Sequence, residues 1–77
     1  MEVTEFIKNF AAQFDDTEVS EFTLETRFRE LDEWSSLNAL AILNMIGKKY
    51  SIFLKPDEIK PVKTVQELYD LVKSKKN

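Results

Sequence analysis

Ser35-Ser36-Leu37-Asn38-Ala39-Leu40-Ala41-Ile42-Leu43-Asn44-Met45-Ile46-Gly47-Lys48-Lys49-Tyr50 is the stretch from which the rest of the chain can be read. A serine just before an apolar periodic run is a good N-cap, so a helix opens at the Ser35-Ser36 pair and runs to about Tyr50. At about 100° per residue, Ala39, Ile42, Leu43, Ile46 and Tyr50 gather within a third of the circumference and make a core face. Leu37, Ala41, Asn44 and Lys48 point the opposite way, with Leu40 between. A lone exposed leucine has no meaning, but Leu37, Leu40 and Ala41 together form a candidate patch for a partner. The alternative is a helix packed on two sides of a small bundle.

Upstream, Val3, Phe6, Ile7, Phe10, Ala11 and Phe14 recur at the spacing of one helical face, with Glu2, Glu5, Lys8, Asn9 and Gln13 on the other. Burying each large side chain of that stripe stabilises by about 1.5–3 kcal/mol, which makes it core. From Asp15 to Trp34 the helical period fails. Val19, Phe22, Leu24 and Phe28 look like anchors of a long structured loop, with a short turn near Arg27 to Leu31. Such a connection in a small domain is uncommon and points to function or to a missed element.

Downstream, Ser51 to Leu54 has the composition of a short strand but no partner strand, so it reads as a buried connection. Pro56, Asp57 and Glu58 open a short helical turn that Pro61 ends. Thr64-Val65-Gln66-Glu67 has the form of a capping box, and Val65, Leu68, Tyr69 and Val72 make the stripe of a last helix. The expected fold is all-α: three longer helices plus one short one, with a long connection between helices one and two.

The chain has 77 residues, 43% of them hydrophobic, with one glycine, no cysteine and no histidine. It is one domain with a single core. Disulfides, thiol nucleophiles and Cys/His zinc sites are excluded, and the usual general base is missing. The net charge of -3 hides a division. Residues 1–33 carry ten acids against Lys8, Arg27 and Arg29, a balance of -7, whereas residues 34–77 carry eight lysines against four acids, a balance of +4. Lys73, Lys75 and Lys76 read as a solvated tail rather than a nucleic-acid site. The charge-free run from Trp34 to Gly47 is fourteen residues, short of the roughly 18 that span a bilayer, and Glu2 and Glu5 stand where a signal peptide would be basic and apolar. The chain reads as soluble and cytoplasmic.

Enzyme templates fit poorly. Gly47 stands alone, so there is no phosphate-cradling loop. Glu30, Asp32 and Glu33 have the chemistry for a metal or an acid/base pair, but the solvated-surface reading is preferred. Ser35 and Ser36 have no base to activate them. What remains is a serine at a helix N-terminus, where unpaired N–H groups and the helix dipole favour a phosphate.

The run Leu31-Asp32-Glu33-Trp34-Ser35-Ser36-Leu37, opening a helix that continues Asn38-Ala39-Leu40-Ala41-Ile42-Leu43, resembles the acyl carrier protein family, whose second helix starts with Asp-Ser-Leu. The likeness extends to Phe28-Arg29-Glu30-Leu31, Lys49-Tyr50-Ser51-Ile52, Leu54-Lys55-Pro56-Asp57-Glu58 and Thr64-Val65-Gln66-Glu67-Leu68. It thus covers nearly the whole chain in order and spacing, and the organisation read above agrees with that family's fold. The resemblance implies a stand-alone, monomeric, non-enzymatic carrier whose Ser36 bears 4'-phosphopantetheine. A phosphopantetheinyl transferase would attach that arm from coenzyme A. Acyl or aminoacyl cargo held as a thioester would pass to loading and processing enzymes of a fatty-acid, polyketide or related pathway, with Leu37, Leu40, Ala41 and Lys48 touching those partners.

Two features depart from the family. Ser35 stands where the family usually has Asp, and positions 37–50 contain no acid but end on Lys48 and Lys49; the acids lie ahead of the serine, at Glu25, Glu30, Asp32 and Glu33. This implies dedicated partners with less basic docking surfaces. Trp34, in place of a small residue, is expected to pack the loop onto the bundle. The alternative function is an unmodified carrier-like module that binds partners through the same helix-two surface.

Overall fold

The computed structural model describes residues 2–76. The first stripe of apolar residues forms α1, Val3–Ala11, which buries Phe6, Phe10 and Ala11, with Glu5 in its first turn and Lys8 in its last as the helix dipole favours. α1 stops short of the expected Phe14. The chain instead tightens into i→i+3 turns, Gln13 N–H donating to the Phe10 carbonyl and Phe14 N–H to that of Ala11, and Phe14 enters the core from there. α2, Ser36–Tyr50, and α4, Val65–Lys76, follow the bounds set by their caps and stripes, and α3, Pro56–Ile59, is the short turn that proline opens. Among the described residues the regular structure is all helical, and no helix is long and apolar enough to cross a membrane.

The 15–34 connection is ordered by two 3₁₀ turns, Val19–Glu21 and Phe28–Glu30. Phe22 and Phe28 are buried anchors and Leu24 is half-buried. Val19, expected as a fourth anchor, is 49% exposed, because its 3₁₀ turn carries it out among Glu18, Ser20 and Glu21. Phe10 stands at the centre of the aromatic cluster, 5.4 Å from Phe14, 5.7 Å from Phe22 and 5.2 Å from Phe28 between ring centroids. Trp34 closes it, 5.0 Å from Phe28 and 6.2 Å from Phe14, so the tryptophan does pack the loop onto the bundle. Edge and tilted ring pairs at these separations add about 0.5–1.5 kcal/mol each beyond their area.

Backbone pairing ties the same loop to α4. The first N–H groups of a helix have no partner within it. Here Val65 N–H donates to the Thr26 carbonyl (3.2 Å), Gln66 N–H to that of Leu24 (2.8 Å), and Glu67 N–H to Thr64 Oγ1 (3.1 Å). The capping box is shifted by one residue: the Glu67 carboxylate accepts from Lys63 N–H rather than from Thr64. Lys73, Lys75 and Lys76 are solvated, as expected, but helical rather than a tail. They sit in the last turn of α4, where cations complement the dipole, and Lys75 pairs with Glu58 of α3.

The buried face of α2 is rotated from the expected one. Asn38, Ile42, Met45, Ile46 and Tyr50 are buried, whereas Ala39 and Leu43 are only half-buried. α2 follows the side on which α1 and α4 meet it, through Phe6 against Tyr50 and Tyr69. Asn9 Nδ2 donates to the Tyr50 hydroxyl at 3.0 Å, and burial pushes that phenol's pKa above its ordinary value.

Candidate functional site

Ser36 occupies the first turn of α2, and Ser35 before it is extended, with φ -155° and ψ 175°. The two hydroxyls have different fates. Ser35 Oγ donates to Asn38 Oδ1 at 3.0 Å, and Asn38 Nδ2 donates to the Gln13 carbonyl at 3.2 Å. Ser35 therefore takes the N-cap position without the expected side-chain cap; its hydroxyl serves a part-buried relay that pins the start of α2 to the segment just after α1. Ser36 is exposed, and its hydroxyl has no hydrogen-bond partner among the described residues. A side chain directed outward from the first turn is the one most open to modification.

Ser36 lies at an open cleft of about 600 Å³ between α2 and α3. Ala39, Leu40, Leu43, Pro56 and Ile59 give it an apolar lining; Arg29, Trp34 and Lys60 complete it. Ser36, Leu40 and Leu43 follow at i, i+4 and i+7, so the serine stands at the head of an apolar line along one side of the helix. The far wall is held by Arg29, whose Nε donates to the Val62 carbonyl (2.8 Å) and whose Nη2 donates to that of Ile59 (2.5 Å). Its guanidinium also lies 5.4 Å from the Trp34 ring centroid and 5.5 Å from that of Phe28, within cation–π range. Lys60 pairs with Asp57 at 3.4 Å, an exposed pair worth little. The cleft has the chemistry to take a slender, largely apolar chain with an anionic group at the Arg29/Lys60 side.

The remaining residues of the candidate patch divide. Leu37 is 77% and Leu40 55% exposed. Leu40 faces the Ser36 cleft, whereas half-buried Ala41 and exposed Lys48 border a separate depression of about 330 Å³ beside Gln13 and Asn44. Leu37 is not part of the lining of either hollow. The patch is thus two adjoining hollows on one outward helix surface rather than a single one.

Glu33 adds a structural role to the solvated reading of the acidic stretch. Its carboxylate accepts from Asp15 N–H (2.6 Å), Asp16 N–H (3.0 Å) and Thr17 Oγ1 (3.0 Å), fastening the exit of α1 to the entry of α2. Desolvation raises its pKa, but the hydrogen bonds to Asp15, Asp16 and Thr17 together outweigh it and hold the carboxyl below the ordinary value. Glu30 and Asp32 are exposed, Glu30 facing Arg27 at 3.7 Å.

Arg29, Asn38 and Phe53 received no role from the sequence. A buried Asn in an apolar helix is a legible signal of a polar relay; nothing local marks Arg29, whose partners lie 30 and 33 residues away. In comparisons with known proteins, no family model, curated protein or solved structure matches this chain.

Proposed function

We propose that the chain is a carrier domain whose Ser36 holds 4'-phosphopantetheine and presents acyl or aminoacyl cargo to partner enzymes. The observation that carries this reading is the contrast between the neighbouring hydroxyls, Ser35 tied to Asn38 and Ser36 exposed at the cleft. The residues present fit the group: the positive end of a helix and the Arg29 and Lys60 cations suit a phosphodiester, and Leu40 and Leu43 suit the arm's apolar parts. In loading, Ser36 Oγ attacks the pantetheine-side phosphorus of coenzyme A, its proton passes to a base on the transferase, and adenosine 3',5'-bisphosphate leaves. The group supplies the thiol that this cysteine-free chain lacks. The domain performs no chemistry on the cargo itself; Leu37, Leu40, Ala41 and Lys48 meet the enzymes that do.

Incubation with a broad-specificity phosphopantetheinyl transferase and coenzyme A, followed by intact-mass measurement, tests this. One arm's mass is gained by the native chain and by Ser35→Ala but not by Ser36→Ala. No gain with several transferases refutes it.

A second reading is favoured by the exposure of Leu37 and Leu40: an unmodified module that binds partners through this surface. Partner binding independent of Ser36, in a chain that stays bare in its own cell, would establish it.

A further inference from the structure

Ser35 and Ser36 stand side by side at the entrance of α2 and both are exposed, so access alone does not separate them. Their difference lies in Asn38. Apart from Tyr50 and Tyr69 it is the one polar side chain buried among the described residues, at 8% exposure, on the face of α2 that also buries Ile42, Met45 and Ile46. A buried amide costs stability unless its bonds are made, and here both ends are used.

What each end faces fixes the direction of the bonds. The Gln13 carbonyl can only accept, so the Asn38 nitrogen lies on it, at 3.2 Å, and the Asn38 oxygen is turned to Ser35 Oγ, at 3.0 Å. An amide oxygen can only accept in its turn, so Ser35 gives it the single proton of its hydroxyl. An ordinary N-cap serine works the other way: its oxygen accepts from a backbone N–H and its proton stays free. Ser35 makes no such cap bond. The Ser36 hydroxyl, with no partner among the described residues, keeps its proton unengaged at the cleft.

A serine that attacks phosphorus must hand that proton to a base as the new bond forms. In loading, the Oγ–P bond forms, the bond from that phosphorus to the bridging oxygen of coenzyme A breaks, the proton passes to the transferase's base and adenosine 3',5'-bisphosphate leaves. For Ser36 nothing in the chain has to be undone first. For Ser35 the same step requires its bond to Asn38 to break, and the Gln13 carbonyl keeps the amide from swinging aside.

We propose that Asn38 is the positioning residue that decides which of the two hydroxyls is loaded: it takes the Ser35 proton, holds Ser35 silent and leaves Ser36 as the acceptor. This rests on the carrier reading and adds to it the residue that sets the site. A neutral hydrogen bond of ordinary strength biases such a competition roughly two- to tenfold.

The test uses the full chain, coenzyme A and several broad-specificity phosphopantetheinyl transferases, with tandem mass spectrometry assigning each arm to Ser35 or Ser36. Ser36→Ala gains no arm in the time that loads the native chain, and prolonged incubation measures its residual rate at Ser35. Ser36→Ala/Asn38→Leu is expected to exceed that rate about two- to tenfold, and the single variant Asn38→Leu to raise the ratio of Ser35 to Ser36 loading by a similar factor. Asn38→Ala serves as a second variant that also removes the acceptor. Asn38→Asp, which keeps an acceptor oxygen beside Ser35, is expected to hold the ratio at its native value. Circular dichroism melts set an assay temperature at which every variant is folded. A purely structural Asn38 would slow both serines together and leave the ratio unmoved. An unchanged ratio in Asn38→Leu and Asn38→Ala overturns the proposal while the native chain, loaded at Ser36, leaves the carrier reading standing; so does Asn38→Asp behaving as Asn38→Leu. A native chain and variants that all stay bare refute the carrier reading itself, and the selector with it.

Discussion

Replacing Arg29 tests whether one side chain holds the far wall of the cleft. Its guanidinium makes two charge-assisted bonds, to the carbonyls of Val62 and Ile59, and lies over Trp34 and Phe28. Hydrogen bonds to charged groups contribute about 1.5–3 kcal/mol each, so Arg29→Met, which keeps the stem and loses both bonds, is expected to cost about 3–5 kcal/mol. Arg29→Lys keeps the charge but lacks the planar fork, and should lose about 1–3 kcal/mol. At roughly 4–8 °C per kcal/mol for a domain of this size, the Met variant melts at least about 12 °C lower. Far-UV circular dichroism in urea is the appropriate assay, since Trp34 fluorescence would itself respond to loss of the overlying cation. Amide exchange across residues 57–62 should accelerate more than exchange in α1. Both variants lying within about 0.5 kcal/mol of the native chain, the range of an ordinary surface substitution, would refute the clamp.

Asn38→Ala leaves the Ser35 hydroxyl and the Gln13 carbonyl without their partner and should destabilise by about 1–3 kcal/mol in urea unfolding. Gly47→Ala should stabilise by about 0.5–1 kcal/mol through helix propensity, because the atom 3.2 Å from the new methyl belongs to an exposed ring that can swing away; a crystal structure would show Phe53 displaced. For Glu33 the folded carboxyl titrates below the unfolded one, so its stabilisation is complete above the unfolded pKa and is lost as pH falls through the folded value. Glu33→Gln should therefore flatten the acid limb of a Tm-against-pH profile, leaving the remaining loss to groups such as Glu58, whose hydrogen bond from Lys75 also holds its carboxyl low.

Helices α2 and α4 were legible because their signals are local: a serine or threonine at the entry and an apolar stripe after it. α3 was legible from Pro56 with its following acids. The long connection was legible only as ordered. What orders it is long-range: Glu33 reaching residues 15–17, and the Leu24 and Thr26 carbonyls receiving α4. Backbone acceptors carry no side-chain identity, so no residue type at 24 or 26 announces them. The α2 face was misplaced because Ala39 and Leu43 are apolar like Met45, and only the packing of α1 and α4 chooses between them. At the site, the position of Ser36 followed from the cap signal, while the cleft depends on Arg29 placing α3 and left no pattern in the sequence. Phe53 was read within a buried connection; its outward turn is set by the left-handed backbone at Ser51, which serine itself does not signal.

The lacing of α4 onto the carbonyls of Leu24 and Thr26 has a kinetic consequence. Those pairings close a span of about forty residues, and closing such a span is slow relative to winding a helix. A nascent polypeptide would hold α1 and α2 as fluctuating segments, with the phenylalanines of the connection unsettled, until residues 64–68 have left the ribosome. Native-state exchange should then show the connection and α4 opening together as a single cooperative unit.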